Sequence, residues 1–279
     1  MPVTRREVLS MAAAKAAATG GVPLAAFGPH RISRLIVGGN PVSGNSHWSK
    51  TMDREMVDYF TSTNVKRMLR RCEECGINTW QSRGDRHILR LLHEYRQEGG
   101  RIQWIAQTAT EIDARRNLSE SAAEKPIGIY HHGSRTDKLW AEGAIGKVEE
   151  TLKAIRQTGA RVGLGTHIPE VIDYVECRGW DIDFYMTCLY NLSQGENFQE
   201  PDREKMLQRV RDTRRQCLIF KVYGATRRCA SREDMRDALR QAVSSAKPDD
   251  AIVIGMYPKE KDQVAENCAL LREALAQTS

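Results

Sequence analysis

Four histidines stand where chemistry could be done: His47 after the glycine-rich GGNPVSGNSH, His87 in SRGDRH, His132 at the end of IGIYHH and His167 at the end of RVGLGTH. An imidazole titrates near neutrality, so it can move a proton, hold a substrate oxygen or bind a divalent metal. A lone histidine is usually a structural hydrogen bonder, whereas several on one rim point to a site. Arg83 and Asp85 share the stretch after INTWQS, and Lys221 closes the apolar run in CLIFKVYG with Tyr223 two residues on. A lysine there is costly to bury without a partner or a task, and salt bridging and catalysis both remain open for it. Tyr223 offers a proton donor. Neighbouring side chains on a strand point to opposite faces, so at most one of His131 and His132 can face the site. Gly133 would let the chain turn away behind them.

Eight short β-rich runs must position these residues: ISRLIVGG, INTWQS, IQWIAQTA, IGIYHH, RVGLGTH, IDFYMTCLYN, CLIFKVYG and AIVIGMY. Longer amphipathic segments alternate with them, several closing on Gly. Eight such units in about 250 residues fit an α/β fold of the (β/α)8, or TIM, barrel type. Its site lies where strands end, which places the four histidines in the first, second, fourth and fifth loops. Residues 40–63 are expected to form a loop or lid carrying Trp48. Trp80, Tyr130 and Tyr185 are expected to pack the barrel.

Composition narrows the function. The 279 residues are 41% hydrophobic with a formal charge of +6, enough apolar content for one substantial core. Basic residues are mixed with acids and no aromatic platform is interleaved, so nucleic-acid binding is not supported. No run is long enough to span a membrane. The seven cysteines form no dense framework, and the Cys72-Glu-Glu-Cys75 pair lacks a second CxxC for zinc.

At the N-terminus, Thr4, Arg5, Arg6, Val8 and Leu9 resemble the twin-arginine export motif, followed by a weakly apolar Ala-rich run. The expected organisation is therefore a signal at 1–28 and a barrel at 29–279, with the twin-arginine machinery as partner and a periplasmic or secreted location. Removing 1–28 takes away Arg5, Arg6 and Lys15 against Glu7, and the charge falls from +6 to +4.

Several segments together resemble the aldo-keto reductase superfamily: GINTWQS, GLGTHIPEVI, DFYMTCLYNL and IVIGMYPKEKDQVAENCALL. The resemblance implies hydride transfer between NADP and a small carbonyl or sugar-like substrate. It places His132 as the histidine that orients the carbonyl oxygen. It also implies Tyr190 and Asn191 beside the nicotinamide, Gly165 and Thr166 at the carboxamide position, Glu266 and Asn267 at the adenine, and Lys259 with Lys261 near the 2′-phosphate. The family's Asp position holds Gln81, its Lys position Gln107 or Thr108, and no Tyr follows Gln81 at the expected distance. The expected site is thus a non-standard one with His132, Lys221, Tyr223 and Asp85 as catalytic candidates. Two alternatives stand beside it: a divalent-metal-dependent isomerase, epimerase or lyase using the rim histidines, and a barrel without catalysis.

Overall fold

The computed structural model describes residues 21–109, 113–189 and 200–277, with the side chains of 200–202 excepted. Eight parallel strands close into a barrel: β3 (Leu35–Gly38), β4 (Thr79–Arg83), β5 (Gln103–Gln107), β6 (Gly128–His131), β7 (Arg161–Thr166), β8 (Phe184–Cys188), β9 (Gln216–Phe220) and β10 (Ala251–Gly255). Each coincides with one of the eight runs read from the sequence, two of them, β4 and β9, reaching one residue further, to Arg83 and Gln216. The pairing β10 with β3 closes the ring, Val253 opposite Ile36. No described helix is long and apolar enough to cross a membrane.

Alternation along each strand makes two cores. Val37, Trp80, Trp104, Leu164, Tyr185 and Ile219 face outward onto the surrounding helices, while Ile36, Ile105, Tyr130, Met186, Leu218 and Val253 fill the interior. The barrel floor is sealed by an antiparallel hairpin, β1 (Leu24–Phe27) and β2 (His30–Ser33), which inserts Phe27 and Ile32, both fully buried. Phe27 meets Phe184 edge-on at 5.1 Å, and Gly163 is required beside them, since a Cβ there would lie 2.3 Å from the Phe184 ring. This hairpin spans residue 28, where the signal was expected to end. Val22, Ala25 and Phe27 are buried parts of the barrel, so its folded body begins at least as early as Val22.

The expected loop at 40–63 also needs correction. Lys50–Tyr59 is a helix whose N-cap, Ser49, accepts from Met52 N, and Met52 and Met56, one turn apart, turn toward the core. The GSRTDKLWA stretch forms another helix, Gly133–Ala141, directly after β6.

Candidate active site

The strand register decides which side chains reach the mouth. Asn40, Arg83, Gln107, His132, Gly165 and His167 occupy the inward positions at the C-terminal ends of β3 to β7, and they line a cavity of about 260 Å³. His131 points the other way and its Nδ1 lies 2.8 Å from the Thr136 hydroxyl, so the pair splits as alternation requires. The backbone N–H of His132 donates to the Thr108 hydroxyl, which fixes the turn into the following helix. The His132 Nδ1 is buried with no hydrogen-bond partner among the described residues. Burial, then the charges of Arg83 and His167, push its pKa down to about 4. Its ring is neutral and has a nitrogen to offer.

The strongest pairing in the mouth involves a residue that the sequence reading did not select. Asp137 Oδ2 lies 2.6 Å from His167 Nδ1, and Asp137 also accepts from the Thr166 hydroxyl at 2.6 Å and from the His167 backbone N–H. The carboxylate can only accept, so Nδ1 carries the hydrogen and Nε2 is left as the basic nitrogen. Such a pair holds the ring in one tautomer and compensates the charge when Nε2 takes a proton. Asp137 stands one turn into the helix that starts at Gly133.

A second cavity of about 350 Å³ adjoins the mouth and shares Asn40, Asn45, His47, Gln81, Phe220 and Lys221 with it. Its walls are mostly apolar, including Met52, Met56, Val222, Met235 and Tyr257, with Lys261 and Glu266 at one end. It opens at the ends of β9 and β10, the seventh and eighth barrel strands, where barrels commonly hold phosphates. His47, Lys221, Ala225 and Thr226 line it with φ between 49° and 76°. Left-handed backbone at non-glycine residues is strained, and its concentration on one cavity is typical of a functional site. Arg227 joins the two rims, donating to the His47 carbonyl at 3.3 Å and lying 5.4 Å from the half-exposed Trp48 ring.

The expected residues divide accordingly. His132, Lys221 and Gly165 line the mouth, and His47 and His167 join them, whereas His87 is exposed on a helix. Tyr223, Glu266 and Asn267 line the larger cavity. Tyr223 is spent there: its hydroxyl donates to Asn267 Oδ1 at 2.7 Å, and burial pushes the phenol far above its ordinary pKa. Asp85 lines neither cavity, because its carboxylate caps a helix by accepting from Ile88 N at 3.0 Å. Thr166 turns outward to Asp137, and Lys259 lies outside the lining, 3.8 Å from Glu260. Lys261, 2.8 Å from Glu266, is the better placed cation. Tyr190 and Asn191 fall outside the described residues.

Gln81, at the family's Asp position, donates to the Tyr130 hydroxyl at 2.7 Å. Gln107 and Thr108 supply no charge, so among the described residues the tyrosine–lysine–aspartate unit that the resemblance implies has no counterpart. Cys72 is buried and its thiol pushed well up, which removes it as a reactive thiolate. Among the described residues, no three His, Cys, Asp or Glu side chains converge to hold a metal ion.

No protein-family model matches the chain, and no curated protein matches it. Solved structures do. An aldo-keto reductase from Bacillus halodurans in its holo form superposes with a TM-score of 0.59 at 11% identity, covering 93% of this chain and 96% of that one. A truncated 3-deoxy-D-arabino-heptulosonate 7-phosphate synthase from Thermotoga maritima gives 0.53 at 12%, covering 92% and 91%. The N-acetylmannosamine-6-phosphate 2-epimerase from Clostridium perfringens gives 0.51 at 14%, covering 79% and 85%. The fold is therefore the α/β barrel that reductases, synthases and epimerases share, and identities this low show the fold alone.

Proposed function

We propose that the protein is an aldo-keto-reductase-like oxidoreductase that interconverts a hydroxyl and a carbonyl on a small sugar-like substrate, with Asp137–His167 in place of the family's tyrosine as the proton-moving unit. The observation that carries this reading is the basic Nε2 of His167 in a polar mouth that opens into a separate, largely apolar cavity. That cavity suits the phosphate and adenine end of NADP(H) on its donor set: Lys261 as a cation, with Glu266 beside it as a polar partner. The carboxamide end is poorly provided, since Thr166 is turned away and Gly165 has no side chain.

A bound nicotinamide would supply the hydride acceptor or donor. The chain's own residues do the rest. His167 Nε2 takes the proton of the substrate hydroxyl as it becomes a carbonyl, and Asp137 compensates the imidazolium. His132 stays neutral and hydrogen-bonds the same oxygen. In reduction His167 returns the proton.

The vacant carboxamide position favours a second reading, proton transfer at carbon next to a carbonyl by the same histidines without a hydride. A panel of aldoses, polyols and hydroxy acids with NADP+, followed by the absorbance of reduced nicotinamide, separates the two. The first reading expects turnover that His167→Gln abolishes. No turnover, together with solvent deuterium entering a hydroxyaldehyde, would replace it by the second.

A further inference from the structure

We propose that the polar mouth is built for a small polyhydroxylated anion, a sugar acid or a sugar phosphate, whose charged group is met by Arg83 and Lys221. This deepens the reading above, resting on the mouth as the substrate site but not on any nicotinamide.

The charge distribution carries the proposal. Among the described residues lining the mouth, Arg83 and Lys221 are cations, His47, His132 and His167 are imidazoles, and no aspartate or glutamate is present. The nearby acids stand behind the wall and are engaged: Asp137 on His167, Thr166 and a backbone N–H, Asp85 on the helix it caps and, at 3.8 Å, on Arg83 Nε. Negative charge is kept one layer back and positive charge faces the cavity. The depressed basicity of His132 reports the same field, because Arg83 and His167 add to burial in resisting another positive charge there. Gly133 and Ser134, at the N-terminus of the helix after β6, form part of the wall and add a partial positive charge.

A neutral polyol gains nothing from such a field, whereas an anion is drawn into a cleft of one sign and held by charge-assisted hydrogen bonds. The layout also separates the charged end from the reacting end. Arg83 pairs in register with Gln107, one strand from His132's strand, and adjacent strands lie about 4.8 Å apart. A molecule with its anion on Arg83 would therefore present a hydroxyl roughly two strand spacings away, beside His132 and His167. The cavity of about 260 Å³ has room for a single sugar unit.

The test is calorimetric titration of the full chain, without nucleotide and at fixed ionic strength, with gluconate, glucose 6-phosphate and neutral glucose. At least one anion should bind tenfold or more tightly than glucose, and comparing the two anions identifies the charged group. Arg83→Gln should remove that preference, and Arg83→Lys, which keeps the charge, should retain part of it. Glucose binding as tightly as both anions, no binding of either anion, or a preference unchanged in Arg83→Gln would overturn the proposal. NADP+ titrated separately keeps the two questions apart: anion preference without NADP+ binding sinks the oxidoreductase alone, and NADP+ binding without anion preference sinks this proposal alone.

Discussion

Acidification from pH 7 to pH 5 should destabilise this fold through the two adjacent histidines at the end of β6, His131 and His132. His131 and His132 are both held at a pKa of about 4, mainly by burial, against an ordinary value of 6.5. The unfolded chain therefore binds protons between pH 6.5 and 4 that the folded chain refuses, so stability falls as pH drops through that window. From pH 7 to pH 5 each histidine costs about 2 kcal/mol by this linkage, and the neighbouring pair together about 3–4 kcal/mol. That is a large share of the ~5–15 kcal/mol that stabilises a typical domain. Urea unfolding at pH 7, 6 and 5 measures it. In His131→Asn, whose amide can still reach Thr136, roughly half of the acid loss should disappear, and carboxylates common to both chains cancel in the difference. A parent equally stable at pH 5 and pH 7, or a variant with an unchanged pH slope, would refute the reasoning.

Other outcomes follow from the same geometry. Asp137→Asn keeps the shape but removes the charge that fixes the His167 tautomer, and should lower kcat by about 10²–10⁴-fold, read by steady-state turnover. Gly163→Ala puts a methyl 2.3 Å from the Phe184 ring in a filled interior and should cost about 1–3 kcal/mol in denaturant unfolding. Because Arg227 ties Trp48 to the rim of the larger cavity, filling that cavity with NADP+ should change Trp48 fluorescence, a response that Trp48→Phe removes. Replacing both Arg5 and Arg6 by Lys should keep the chain in the cytoplasm if the twin-arginine motif directs export, as fractionation would show.

The barrel was legible because burial on both faces of each strand leaves compact apolar runs, and all eight were visible. The floor hairpin was not, since Leu24–Phe27 continues an Ala-rich segment that reads equally well as the end of an export signal. Alternation allowed only one of His131 and His132 to face the mouth, and the resemblance selected His132. Asp137 was missed because it belongs to a short helix and acts across to the next strand, a contact no local pattern contains. Asp85 misled for the opposite reason: an aspartate just before a helix has a local task, capping, that competes with any distant one. Tyr223 looked available from the sequence, but Asn267, 44 positions away, takes its hydroxyl.

The account turns on whether the larger cavity holds a nicotinamide nucleotide beside the histidine-lined mouth. Calorimetric titration of the purified chain with NADP+ tests this directly. Saturable binding at one site is expected, weakened by about 1–3 kcal/mol in Lys261→Ala, which removes a cation lining that cavity. Absence of binding by NADP+ and NAD+ to the parent chain would contradict it.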